Sequence, residues 1–138
     1  MKTRSRGRTI TEADIVLFSA FSGDWYPLHT DIEYASRTPF KQRIAHGLLV
    51  LSVASGLIKI NPGVVYAFYG MERVRFLHPT FIGDTLYVES EALEKVDKGP
   101  TRGLVTFRQD VVNHRGEVVC TSLIKVLLNK RTHKENAY

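Results

Sequence analysis

Cysteine is almost missing from this 138-residue chain: Cys120 stands alone, so no internal disulfide can form. A lone thiol fits a reducing, intracellular home, and the cytoplasm is the expected compartment. Cys120 falls in the apolar run VVCTSLIKVLL and reads as a small core residue. Also lacking is any run of about 18 apolar residues, so no membrane-spanning helix is expected. The opening MKTRSRGRT has basic residues with no apolar stretch behind it, which is not the pattern of a secretory signal. There is no Gly-rich phosphate loop, no G-x-S-x-G elbow, and no Cys or His set at metal-ligand spacing. No metal and no cofactor are therefore expected, and a serine hydrolase is poorly supported. Basic residues interleaved with exposed aromatics, which would mark a nucleic-acid surface, are not evident either. The net charge of +5 gathers largely at the ends, at Lys2, Arg4, Arg6 and Arg8, then Lys130, Arg131 and Lys134. Such charge suits an anionic partner or plain solvation.

What is present fits one domain over residues 1–138, with 43% hydrophobic and 24% charged residues. Thr3 to Ile10 reads as a short strand. Thr11 looks like an N-cap, with Glu12 and Asp14 well placed at the start of a helix over Ala13 to Phe21. Asp31 to Ser36 reads as a further turn of helix. From Ile44 to Ile60 the chain is apolar on all sides, broken by His46, Ser52, Ser55 and Lys59, and the pattern predicts a core helix. Asn61-Pro62-Gly63 stops it. Beyond that the period becomes strand-like over Val64–Tyr69, Glu72–Leu77, Thr85–Leu93, Leu104–Val112 and Val118–Leu128. Gly70, Ile82-Gly83-Asp84, Lys98-Gly99-Pro100 and Asn113-His114-Arg115-Gly116 mark the turns. One buried helix followed by an antiparallel meander gives an α+β domain, its sheet of about five strands wrapped around the helix.

The chemistry concentrates between Phe18 and Ala35. Ser22-Gly23 reads as a helix end, because glycine supplies the left-handed conformation of a C-terminal cap. Pro27 bars a regular helix through Tyr26 and predicts an extended bend just before His29. Asp24 and His29 are then five residues apart on a stiff loop. A carboxylate and an imidazole held together can move a proton to and from water. The residues alone favour an ordinary turn with a satisfied loop histidine.

The run Ser22-Gly23-Asp24-Trp25-Tyr26-Pro27-Leu28-His29, with Asp31 and Ala35, resembles the signature of MaoC-like, R-specific enoyl-CoA hydratases of the hotdog fold. Ile44-Ala45-His46-Gly47-Leu48-Leu49 through Ser55-Gly56-Leu57 is similar to that family's central helix. Phe76-x-x-Pro79-x-Phe81-x-Gly83-Asp84-Thr85-Leu86 resembles the strand-turn-strand behind it. The resemblance implies a single hotdog domain and reversible hydration of a trans-2-enoyl thioester, carried by coenzyme A or an acyl carrier protein. It implies Asp24 and His29 as the water-holding pair, the Gly47 amide as oxyanion donor and Ser55 as support beside them. A glycine at the helix start would also serve close packing of helix on sheet. Tyr26 and Pro27 complete the substrate-binding stretch, but Tyr26 departs from the family, which usually has Asn there. His46 is expected as helix-start framework, His78 as structural, and His114 and His133 as surface residues. A homodimer or higher even oligomer is expected, because a lone hotdog sheet leaves an edge exposed. Two other readings share the substrate: a hotdog thioesterase, and a silent acyl-thioester-binding subunit.

Overall fold

The computed structural model describes residues 2–131, so His133 and Lys134 lie outside the described residues. The elements run β1 (Lys2–Arg4), β2 (Arg8–Thr9), α1 (Glu12–Ser22), α2 (Pro27–Thr30), α3 (Ile32–Ser36) and α4 (Gly47–Leu57). They continue with β3 (Val65–Phe76), β4 (Thr85–Asp97), β5 (Arg102–Asn113) and β6 (Val118–Asn129). One antiparallel sheet has the order β1-β4-β5-β6-β3, with β2 beside β4. The class is α+β, as the sequence predicts. Among the described residues no helix is long and apolar enough to cross a membrane.

The sheet has six strands instead of about five, and the difference has two local causes. The expected first strand, Thr3 to Ile10, is split into the short β1 and β2. Meanwhile Val64–Tyr69 and Glu72–Leu77 merge into β3. Gly70 is no turn: it stays in the ladder opposite Lys125, with a register shift on its N-terminal side and a second between Glu72 and Arg75. A glycine inside a strand marks such an irregularity as readily as a turn. Arg73, at φ 53°, absorbs the second one. The Asn113–Gly116 hairpin turn stands where the sequence places it.

Helix α4 is shorter than expected and is buried on one side. Leu49, Val50, Val53, Ala54 and Leu57 face Ile10, Ile15, Leu86, Val88, Val111, Val119 and Cys120 in one core cluster. Leu48, Ser52, Ser55 and Gly56 stand open to solvent, so the all-round core helix predicted from composition is not what the single chain builds. The helix ends at Leu57 because Ile58 is already extended (ψ 134°), three residues ahead of the Asn-Pro-Gly stop. Cys120 is fully buried, and burial pushes its thiol up to about 11. That is the packing role read from its apolar run.

An ion pair joins the two turns at one end of the sheet. Asp84, 4% exposed, accepts the Phe81 amide at 3.0 Å and both guanidinium nitrogens of Arg115 at 2.9 and 3.0 Å. Burial alone would raise the Asp84 carboxyl. Arg115 and the amide outweigh it and hold the group below the ordinary carboxylate value. The ionised form is thus the stabilised one. Its contribution is complete above the unfolded pKa and is lost as pH falls through the lowered folded value. Arg115→Met strands a buried carboxylate. The variant is less stable at pH 7, by less than a fully buried pair would lose, because Arg115 is itself partly exposed to solvent. Urea unfolding at neutral and acid pH checks this: the penalty shrinks in acid, where protonation relieves Asp84. An equal penalty at both would refute the account.

Candidate active site

The segment that carries Asp24 starts at a helix end and is tied down on both sides. Thr11 and Asp14 form a reciprocal cap at the start of α1, and Gly23, at φ 82°, closes its end with a bond from its amide to the Ser19 carbonyl. Asp24 Oδ1 then accepts the Tyr26 amide at 3.1 Å, folding the loop back on itself. Pro27 does not produce the predicted bend before His29. It occupies the first position of α2, where its fixed φ and missing N–H are tolerated, so His29 rides on a helical turn. Asp31 caps the next turn through the Tyr34 amide.

His29 is oriented by its own backbone surroundings. Its Nδ1 lies 2.7 Å from the Ile44 carbonyl oxygen. A carbonyl only accepts, so Nδ1 carries a proton and donates it, which leaves Nε2 as the acceptor of the neutral ring. The Ile44 carbonyl is itself held in place, since Ala45 N–H donates to the Thr80 carbonyl at 2.7 Å and Ile44 bridges Phe81. The ring of His46 stacks on His29 with centroids 4.0 Å apart.

These groups open on a cleft of about 500 Å³ whose wall includes Phe40, Val50, Phe76 and Val119. Of the six site residues expected from sequence, the described part of the cleft wall takes in Asp24, His29 and Gly47. Tyr26, Pro27 and Ser55 stand outside it. The Ser55 hydroxyl donates to the Ser52 carbonyl (2.6 Å) and Ser52 to that of Leu48 (2.8 Å), both on the open side of α4. Tyr26 is half exposed, its ring edge against His29 at 5.9 Å and its hydroxyl 3.4 Å from that of Tyr34. It therefore flanks His29 without entering the cleft. Gly47 also lets the Phe76 ring lie close to the helix start: a Cβ there would meet the far end of that ring at 2.8 Å and push it aside. The Gly47 amide nonetheless precedes the first bond of α4, from Val50 N–H to the His46 carbonyl, and has no acceptor within the helix.

Sequence reasoning missed Phe76 and Thr80 as wall residues and set His46 aside as framework. The F-x-x-P spacing placed Phe76 at the end of a strand but could not show that its ring reaches α4. One donor atom from each of Asp24, His29 and His46 lies within 4.8 Å of the others, and these are the groups a cation could be offered. His29 Nδ1 and His46 Nε2 are already engaged with backbone carbonyls, and the rings stack face to face. Imidazoles that share an ion must instead aim in-plane lone pairs at one point.

A family model described as MaoC like domain matches residues 1–114. The chain belongs to the MaoC-like domain family. This MaoC-like chain is 36% identical over 110 residues to an (R)-specific enoyl-CoA hydratase of Rhodospirillum rubrum, covering 78% of itself and 72% of that relative. It is 43% identical over 93 residues to Protein MaoC of Klebsiella aerogenes, covering 66% of itself but only 28% of that relative. Among solved structures, a monoamine oxidase regulatory protein from Archaeoglobus matches with a TM-score of 0.89 at 43% identity. That match covers 94% of this chain and 89% of the other. A Mycobacterium tuberculosis protein described as a double hotdog fold matches with a TM-score of 0.84 at 20% identity, covering 99% of this chain and 44% of that one, and the fold of this chain is accordingly the hotdog.

Proposed function

We propose that the protein adds water across the double bond of a trans-2-enoyl thioester to give the R-3-hydroxyacyl thioester, and runs the reverse dehydration. Membership of the MaoC-like family, with relatives named enoyl-CoA hydratase and 3-hydroxybutyryl-CoA dehydratase, supports an enzyme of the hydro-lyase type. The observation that carries the finer reading is His29: its Nδ1–H is spent on the Ile44 carbonyl, so Nε2 is a fixed acceptor beside Asp24 at the cleft. His29 Nε2 takes a proton from water as the water oxygen bonds to C3. The electron pair of the double bond moves to C2, which receives a proton from the Asp24 carboxyl. A proton passed from His29 to Asp24 restores the pair. Charge that builds on the thioester oxygen faces the unpaired amide of Gly47 at the start of α4, where the helix dipole favours it.

The working unit in this reading is a dimer. β3 ends the sheet and exposes Tyr66, Phe68, Tyr69 and Phe76, an apolar edge that a second copy would cover. The open face of α4, with Leu48 and Ser55, awaits cover too.

A panel of enoyl-CoA thioesters, straight, branched and dicarboxylic, tests this by loss of enoyl absorbance with free thiol read in parallel. Light scattering on the same samples gives the assembly. Hydroxyacyl product from a dimer is the expected result. Release of free CoA without hydroxyacyl product would make the protein a thioesterase, and binding without turnover would make it a silent subunit. A fully active monomer would remove the dimer.

A further inference from the structure

His46 is 2% exposed, yet its two ring nitrogens have unlike surroundings. Nε2 lies 3.0 Å from the Asp24 carbonyl oxygen and 3.2 Å from the hydroxyl of Ser19, itself fully buried in α1. Because the carbonyl can only accept, Nε2 carries the proton. Nδ1 is buried without a partner among the described residues. Burial pushes the ring towards the neutral form, the bond to the Asp24 carbonyl opposes this in part, and the neighbouring His29 adds to it. A neutral ring with its proton on Nε2 leaves a bare lone pair on Nδ1, which burial tolerates better than a charge. One face of that ring supports His29, at 4.0 Å and 29° between planes, and Phe18 packs against it at 4.8 Å.

We propose that His46 is the positioning residue of the Asp24/His29 pair, holding Asp24 by its backbone carbonyl through Nε2–H while its ring face carries the imidazole of His29. The inference rests on the hydration reading for its consequence in rate, and on geometry alone for the placement. The other contacts of the pair are mostly local to the loop. Asp24 Oδ1 takes the Tyr26 amide and the Asp24 amide donates to Ser22 Oγ, while His29 donates to the Ile44 carbonyl and has the Tyr26 ring edge beside it. His46 ties both to α1 and to the start of α4. An aliphatic residue would fill the volume and support His29, but would leave the Asp24 carbonyl without its donor. A permanent cation would charge the floor under His29.

His46→Leu and His46→Gln separate these duties, since a glutamine amide N–H can reach the Asp24 carbonyl and leucine has none. Hydration by each variant is measured together with amide hydrogen exchange at Tyr26 and His29. In His46→Leu, kcat falls about 10–100-fold with KM within about threefold, the pattern of a displaced reacting group. Exchange at both amides speeds up, and His46→Gln recovers most of both effects. Unchanged kcat and exchange in His46→Leu would overturn the proposal. So would equal losses in both variants that track the melting temperature. If the wild type hydrates nothing, exchange decides alone. Faster exchange in the leucine variant, restored by glutamine, upholds the positioning role while the hydration reading fails. Unchanged exchange overturns the role.

Discussion

Asp24→Asn leaves a folded protein that still binds the thioester and hydrates it about 10²–10⁴-fold more slowly, the usual range for a lost general acid or base. The substitution is clean for a structural reason. Asp24 holds the loop by accepting the Tyr26 amide on Oδ1, and an asparagine oxygen accepts the same bond. What disappears is the capacity to give and take a proton. His29→Ala fails to a similar degree by removing the acceptor nitrogen. Ser52→Ala is close to neutral, because the Ser52 hydroxyl is bonded to the Leu48 carbonyl within α4. Rates are read by enoyl absorbance, with the fold of each variant checked by circular dichroism. An Asp24→Asn enzyme that turns over at the wild-type rate removes Asp24 from the chemistry.

Leu49→Asp has the largest effect on the molecule itself and prevents soluble folding. Leu49 lies on the buried side of α4 in one cluster with Leu86, Val119 and Cys120. A carboxylate placed there is unpaired, at a cost that exceeds the roughly 5–15 kcal/mol by which a domain is stable. Leu48→Asp, one residue earlier, supplies the control: Leu48 is 66% exposed, so the single chain tolerates the charge. Soluble expression and a thermal melt separate the two. A cooperative unfolding transition in Leu49→Asp would show that the core lies elsewhere.

Backbone punctuation was easy to read in this sequence, and long-range placement was not. Thr11, Gly23 and the Asn113–Gly116 turn act through their own conformations and immediate neighbours, and each stands where its residues put it. Gly70 has two local meanings, turn or strand irregularity, and only the ladder with β6 selects between them. Pro27 is similar, since its ring suits an extended bend and a first helical position alike. The open side of α4 was hidden because composition reports hydrophobicity, not which neighbour covers it. At the site, the D-x-x-x-x-H spacing reached Asp24 and His29, which the fold does bring to one cleft. His46 was passed over because its partners, Ser19 and the Asp24 carbonyl, lie 27 and 22 residues away in the chain. Ser55 follows from the resemblance only, and the single chain gives it no contact with the cleft.

The two sides of the sheet differ in what they offer a passing strand. β3 presents twelve residues at one end. At the other, β1 and β2 shield β4 up to Glu91, and the stretch beyond carries Glu94, Lys95 and Asp97. Buried against another strand's backbone, such charges repel company. A molecule with one adhesive side and one repellent side can close a pair but cannot extend a row. Fibril growth needs two adhesive sides per unit, so the asymmetry guards the chain against running into filaments even when its concentration is high.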